Sequence, residues 1–228
     1  MGIWRRLAKV LFWPSEVYQD IVRSPKVVLP LLIIVFLVTG YSSYYVANID
    51  AKAVLAQQLE KSERVRQLPE AQKDIIINSQ AKWLIYMIPV GALVGTPVIF
   101  LIIGLYFFLL AKLSTAEVNY SQAFAIPVYA HAVAIPTVIV GFIILLATDF
   151  TTTPLEEIIP SNAGYFFQLE DVGSKLHKLL VSLDFFGMWK LVLMTIGFSV
   201  STRFALWKSI LAIFGPWLIL TALTILFA

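Results

Sequence analysis

Residues 27–46 read VVLPLLIIVFLVTGYSSYYV, twenty positions without one charged side chain. A helix of that length, rising 1.5 Å per residue, covers about 30 Å, which is the hydrocarbon thickness of a bilayer. Hydrocarbon offers the backbone no water, so such a segment is stable there only as a helix or as part of a closed barrel. A barrel strand would alternate polar and apolar residues over about ten positions, and this stretch does not. Reading outward, four more apolar runs follow: about Trp83 to Ala111, Ser121 to Thr148, Phe185 to Thr202 and Trp207 to Ala228. The expected fold is all-α, a polytopic membrane protein of five transmembrane helices.

Composition supports that reading. Of 228 residues, 59% are hydrophobic and only 14% charged, against about 25% charged in soluble domains. A soluble enzyme or a disordered chain would not be built this way. The chain has no cysteine, which removes thiol nucleophiles, thiolate metal sites and disulfides. Two histidines leave little for a transition-metal site, and a net charge of +3 is too sparse for a nucleic-acid surface. No cofactor is expected. The chain divides into a segment over 1–26 and a membrane domain over 27–228, with long connections at 47–82 and 149–184.

Lysine and arginine placement gives the orientation. Arg5, Arg6, Lys9, Arg23 and Lys26 outweigh Glu16 and Asp20 before span one. With the short connections around Lys112 and Glu117, and around Arg203 and Lys208, that side sums to +5, whereas 47–82 and 149–184 together sum to −3. The amino terminus is expected in the cytoplasm and the carboxyl terminus outside.

The polar segments have patterns of their own. Residues 3–13, IWRRLAKVLFW, place Arg5, Arg6 and Lys9 on one arc with Ile3, Trp4, Leu7, Val10 and Leu11 opposite. Such a basic amphipathic helix, with Trp4 and Trp13 near its ends, is expected to lie in the lipid interface. Pro14 breaks it, and Ser15 is expected to cap a second short helix ending before Pro25. Residues 50–80 read as a solvated helical hairpin, with Asp50 as a cap, Glu60 and Arg64 as an i,i+4 pair and Pro69 at a helix boundary. The acidic stretch 149–183 carries Tyr165, Phe166 and Phe167, residue types suited to headgroup depth.

Spans two and three hold two prolines each, Pro89 with Pro97 and Pro127 with Pro136. Gly91 and Gly95 form a small-xxx-small pattern, echoed by Ala130 and Ala134, and such residues allow close helix packing. Broken helices also line the sites of transporters. His131 falls near the middle of span three, where an ionisable group is either bonded to a neighbour such as Tyr129 or part of a proton path. Lys190 lies five or six residues inside span four and reaches toward water or Asp184.

Three stretches resemble one family. Trp13-Pro14-Ser15-Glu16-Val17-Tyr18, continuing to Arg23-Ser24-Pro25, is similar to the entry of Yip-type (Ypt-interacting protein) membrane domains. Phe124 through Pro136, with Tyr129, resembles their middle span. Leu183-Asp184-Phe185-Phe186 with Trp189, Leu193 and Gly197, then Trp217, resembles their last two spans. The resemblance implies five spans, a cytosolic amino terminus and no catalysis. Eukaryotic members are linked to Rab-type GTPases and vesicle traffic. This chain has neither their Asp-Leu-Tyr-Gly-Pro motif nor their long amino-terminal region, so GTPase binding is not expected of it. It looks more like bacterial members, which implies an inner (plasma) membrane location.

The expected function is a non-enzymatic scaffold, adaptor or accessory subunit of a membrane complex, such as an exporter or trafficking assembly. Its expected partners are the lipid bilayer, another membrane protein or transporter complex, or a second copy of itself. The alternative is a small permease or proton-coupled transporter using His131 and the broken spans.

Overall fold

A computed structural model describes residues 1–60, 68–113, 116–167 and 175–227. Helix α1 (Ile3–Lys9) is followed by α2 (Pro14–Arg23). The capping expected of Ser15 is corrected here, because α2 starts at Pro14 with Trp13 in the cap position and no side-chain cap. Proline suits the first helical position, since its fixed φ is helical and its missing N–H would have had no partner there. Span one is α3 (Val28–Asn48). Helix α4 (Ala51–Glu60) follows, its first turn capped as expected: Asp50 Oδ1 accepts from the backbone N–H of Lys52 at 3.0 Å and of Ala53 at 3.2 Å.

Span two is carried by α5 (Glu70–Val90), a π-helical turn at Gly91–Gly95, and α6 (Thr96–Leu113). Span three is α7 (Tyr120–Ala130), a 3-10 turn at His131–Val133, and α8 (Ala134–Ala147). Asn119 and Gln122 open α7 with a reciprocal capping box, each side-chain oxygen accepting the other's backbone N–H at 2.9 Å. After a 3-10 turn at Leu155–Glu157 come α9 (Ala163–Phe167) and α10 (Lys175–Ser182). Spans four and five are α11 (Phe185–Thr202) and α12 (Leu206–Phe227). Five helical stretches among the described residues are therefore long and apolar enough to cross a membrane. No strand occurs among the described residues, only an isolated antiparallel bridge between Asn162 and Asp184.

The paired prolines bracket the two helix distortions. Pro89 lies just before the π turn and Pro97 just after it, while Pro127 and Pro136 flank the 3-10 turn. A proline inside a helix removes one i→i−4 hydrogen bond and crowds the carbonyl four residues back, so the ladder is rebuilt with a different ring size. Neither break ends its span. The helical stretch Glu70–Leu113 runs 44 residues, or about 66 Å, more than twice the hydrocarbon thickness. Its polar first turns thus extend past the bilayer, where Ala81 packs on Ala51 and Leu55 of α4. Helices α4 and α5 thus pack together as expected of residues 50–80, while the expected Glu60–Arg64 pair involves Arg64, which lies outside the described residues.

The chain forms two compact units. One comprises Met1–Phe36, Gly95–Ile135 and the chain from Phe185 onward. Its core joins Phe107, Ile126, Ala130, Leu193, Phe198 and Ile213. Tyr106 Oη donates to the Ala212 carbonyl at 2.8 Å, tying α6 to α12. The other unit comprises Leu37–Val94 and Pro136–Asp184. Tyr41, Tyr45, Val138, Leu145, Phe150 and Ile158 form its core, and Tyr45 Oη donates to the Thr153 carbonyl at 2.8 Å.

Candidate functional site

The most connected polar site is where the amino-terminal helices meet α7. Helix α2 presents Val17, Tyr18 and Ile21, three and four residues apart and thus on one helical face. With Leu7 and Val10 they are buried against Ala125, Tyr129 and Ala132. Each large apolar side chain taken from water in this way contributes about 1.5–3 kcal/mol.

Arg6 does not share the surface position expected of it with Arg5 and Lys9 on the charged arc of an interfacial helix. It is 1% exposed and sits under α2. Its Nε donates to Asp20 Oδ2 at 2.7 Å, its Nη1 to the Ser24 carbonyl at 2.8 Å, and the same Nη1 approaches Tyr129 Oη at 3.5 Å. Nη2 also stands 2.7 Å from Asp20 Oδ2. Tyr129 Oη in turn donates to the Lys26 carbonyl at 2.8 Å, and Gln122 Nε2 donates to the Val22 carbonyl at 2.8 Å. The last residues of α2 and the approach to span one would otherwise leave these carbonyls without partners. A buried guanidinium survives only with a carboxylate and several oxygen acceptors around it, and this site supplies them.

The electrostatics follow. The hydrogen bond from the Met1 amino group holds the Asp20 carboxyl below its ordinary range, with Arg6 adding to the effect and partial burial opposing it. Burial disfavours the charged form of Arg6, yet the hydrogen bonds to Tyr129 and Asp20 outweigh it and raise the guanidinium above its usual value. Burial pushes the Tyr18 phenol up, so it remains a neutral donor, and its Oη donates to the Ile126 carbonyl at 3.2 Å.

Trp4, Arg5 and Trp13 are exposed, and Lys9 pairs with Glu16 at 2.9 Å while standing 5.7 Å over the Trp13 ring. Of the residues expected as polar groups within the membrane, His131 has its Nδ1 2.9 Å from the Pro127 carbonyl, and its ring packs on Phe100 with centroids 4.2 Å apart. Tyr129 is committed to Arg6 and Lys26. Lys190 is half-buried on α11. Asp184 accepts from the Ser161 hydroxyl beside its bridge to Asn162.

The small residues divide differently from their sequence pattern. Ala130 is fully buried and Ala134 half-buried, but a Cβ at Gly91 or Gly95 would meet nothing within 4 Å. The close approaches occur elsewhere. A Cβ on Gly197 would stand 2.7 Å from the Tyr18 ring, and one on Gly104 would stand 3.0 Å from Phe124 Cα. The sequence reading therefore missed Tyr18, Asp20, Gln122 and Gly104 as site residues. The one local signal was the apolar Val17, Tyr18 and Ile21 face with an acid at its edge, two residues after Tyr18.

Among the described residues, no group of three or more His, Asp or Glu side chains is placed to hold a metal ion. The sequence profile described as the Yip1 domain matches residues 8–227. No curated protein and no solved structure matches the chain.

Proposed function

The chain belongs to the Yip1 domain family, and from that premise we propose that it is a non-enzymatic membrane scaffold or accessory subunit of a larger membrane assembly. The family is one of membrane proteins tied to trafficking. The observation that carries the reading is the contrast between engaged and open surfaces. Several polar groups in the spans are bonded within the chain: His131 to the Pro127 carbonyl, Tyr106 to Ala212 and Thr195 to Leu191. Around Gly91 and Gly95, by contrast, lies open space on a membrane-spanning stretch. A second helix can approach closely there.

The test is native mass spectrometry of protein purified in mild detergent. The wild type is expected to carry a second membrane protein or a second copy, and Gly91→Leu with Gly95→Leu should remove it while insertion survives. A wild type that stays a lone monomer in nanodiscs yet moves a solute in proteoliposomes overturns the reading. In that case His131→Gln should fold normally and lose the transport, which identifies the proton-coupled permease instead.

The same proposal places the amino terminus in the cytoplasm, on the strength of the basic short segments. In intact bacterial cells an impermeant thiol reagent should reach a cysteine at Thr152 and not one at Glu117, both of them exposed positions. The reverse labelling would invert the orientation.

A further inference from the structure

We propose that α9 and α10 form an interfacial anchor, seated in the headgroup–acyl boundary of the leaflet at which span four begins. The two helices make one tied unit. Gly164 lets α9 approach α10 so closely that a Cβ there would stand 2.7 Å from Val181 Cγ2. The Ala163 N–H donates to the Leu183 carbonyl at 3.1 Å, and the Tyr165 N–H donates to Asn162 Oδ1 at 3.0 Å. Asn162 pairs with Asp184, whose carboxylate also takes the Ser161 hydroxyl. The fold of this unit leaves its large apolar side chains outside. Phe166 is 71% exposed, Phe167 66%, Tyr165 56% and Leu176 54%.

Three features say that lipid covers them. The first is depth. Only Leu183 and Asp184 separate α10 from the first residue of span four, so Ser182 lies within about 11 Å of the hydrocarbon edge at full extension. The headgroup layer is itself about 5–8 Å deep on each side. The second is continuity along the chain, because exposed Leu183 is followed two residues on by exposed Phe185, which begins a helix long and apolar enough to cross a membrane. The third is pattern. Leu176, Leu179 and Leu180 fall within an arc of about 100° on α10, with Lys175 beside it and Lys178 on the opposite side of the helix. That is the arrangement of a helix lying in the interface, its apolar face down and its lysines reaching out to water and phosphate. Residues 149–184 hold six acidic and only two basic side chains. Attraction to anionic lipid is therefore not the driving force, and apolar insertion is.

Because the chain has no cysteine, single cysteines take a fluorophore cleanly. Phe166→Cys and Leu179→Cys are labelled with an environment-sensitive dye in phosphatidylcholine vesicles. Gln72→Cys, eleven residues ahead of Trp83, serves as the aqueous comparison. Lipid carrying a nitroxide close to the headgroup is expected to quench positions 166 and 179 several-fold more than position 72. Iodide should quench position 72 alone. The result should be the same when phosphatidylglycerol is added. Quenching of positions 166 and 179 by iodide overturns the anchor, and so does shielding from both quenchers, since protein rather than lipid would then cover them. The unaltered protein gives an independent readout. A lipid photoactivatable near its headgroup should crosslink to 163–167 and 175–182, and absence of that crosslink is equally fatal.

Discussion

Asp20→Ala is expected to destabilise the folded protein by about 3 kcal/mol, at the low end of what is lost when one partner of a buried ion pair is removed. The reason is what stays behind. Arg6 is 2% exposed at its side chain, against 26% for Asp20, so the substitution leaves a guanidinium in the interior with only carbonyl and phenol acceptors. The partial exposure of Asp20 keeps the loss at the lower end. Replacing both residues together, Arg6→Met with Asp20→Leu, should recover most of the loss, because a well-packed apolar pair needs no compensation. Thermal unfolding in mild detergent of Arg6→Met, Asp20→Leu and the double variant makes a double-mutant cycle, and an Asp20→Ala protein within about 0.5 kcal/mol of wild type would contradict a stabilising Arg6–Asp20 pair.

The pH dependence has a definite sign. The folded state depresses the Asp20 carboxyl, so the pair's contribution is present above the unfolded carboxylate pKa. It is lost as pH falls through the folded value, that is, below about pH 4. Asp20→Asn should abolish this share of the acid sensitivity.

The second large effect is expected at Gly197. A methyl group there would stand 2.7 Å from Cε1 and Cζ of Tyr18 and 3.0 Å from Ile126 Cγ2. Tyr18 has nowhere to move, since its side chain is fully buried and its hydroxyl is bonded to the Ile126 carbonyl. Gly197→Ala should therefore cost about 1–3 kcal/mol as overpacking, and Gly197→Leu should lift α2 from α11 altogether. Limited proteolysis within residues 1–26 would report that release. In a Tyr18→Leu background the Gly197→Ala penalty should shrink, because the obstructing ring is gone. Gly91→Ala and Gly95→Ala give the opposite expectation for folding. They meet empty space, and alanine is the better helix former by about 1 kcal/mol. Equal destabilisation at Gly91 and Gly197 would contradict the packing described here.

Much of the architecture is legible in the linear chain. Hydrocarbon forces every backbone group in a span to be satisfied locally, so twenty uncharged residues such as 27–46 specify a helix whatever surrounds them. The two helix breaks are legible for the same reason: Pro89, Pro97, Pro127 and Pro136 act on their own i−4 carbonyls. The cap at Asp50 is also a two-to-three-residue affair.

The contact between the amino-terminal helices and α7 is different in kind. On a helical wheel Arg6 looks like Arg5 and Lys9, one of three charges on the polar arc of an interfacial helix. Its actual surroundings come from Asp20 and from Tyr129, 123 residues away along the chain. The glycines teach the same lesson. Gly91 and Gly95 have the spacing of a packing motif and touch nothing, whereas Gly197 and Gly104 accept Tyr18 and Phe124 from distant segments. Spans follow from the solvent, which acts on each residue where it stands. Which arginine is buried, and which glycine is filled, depends on partners brought together only when the helices pack.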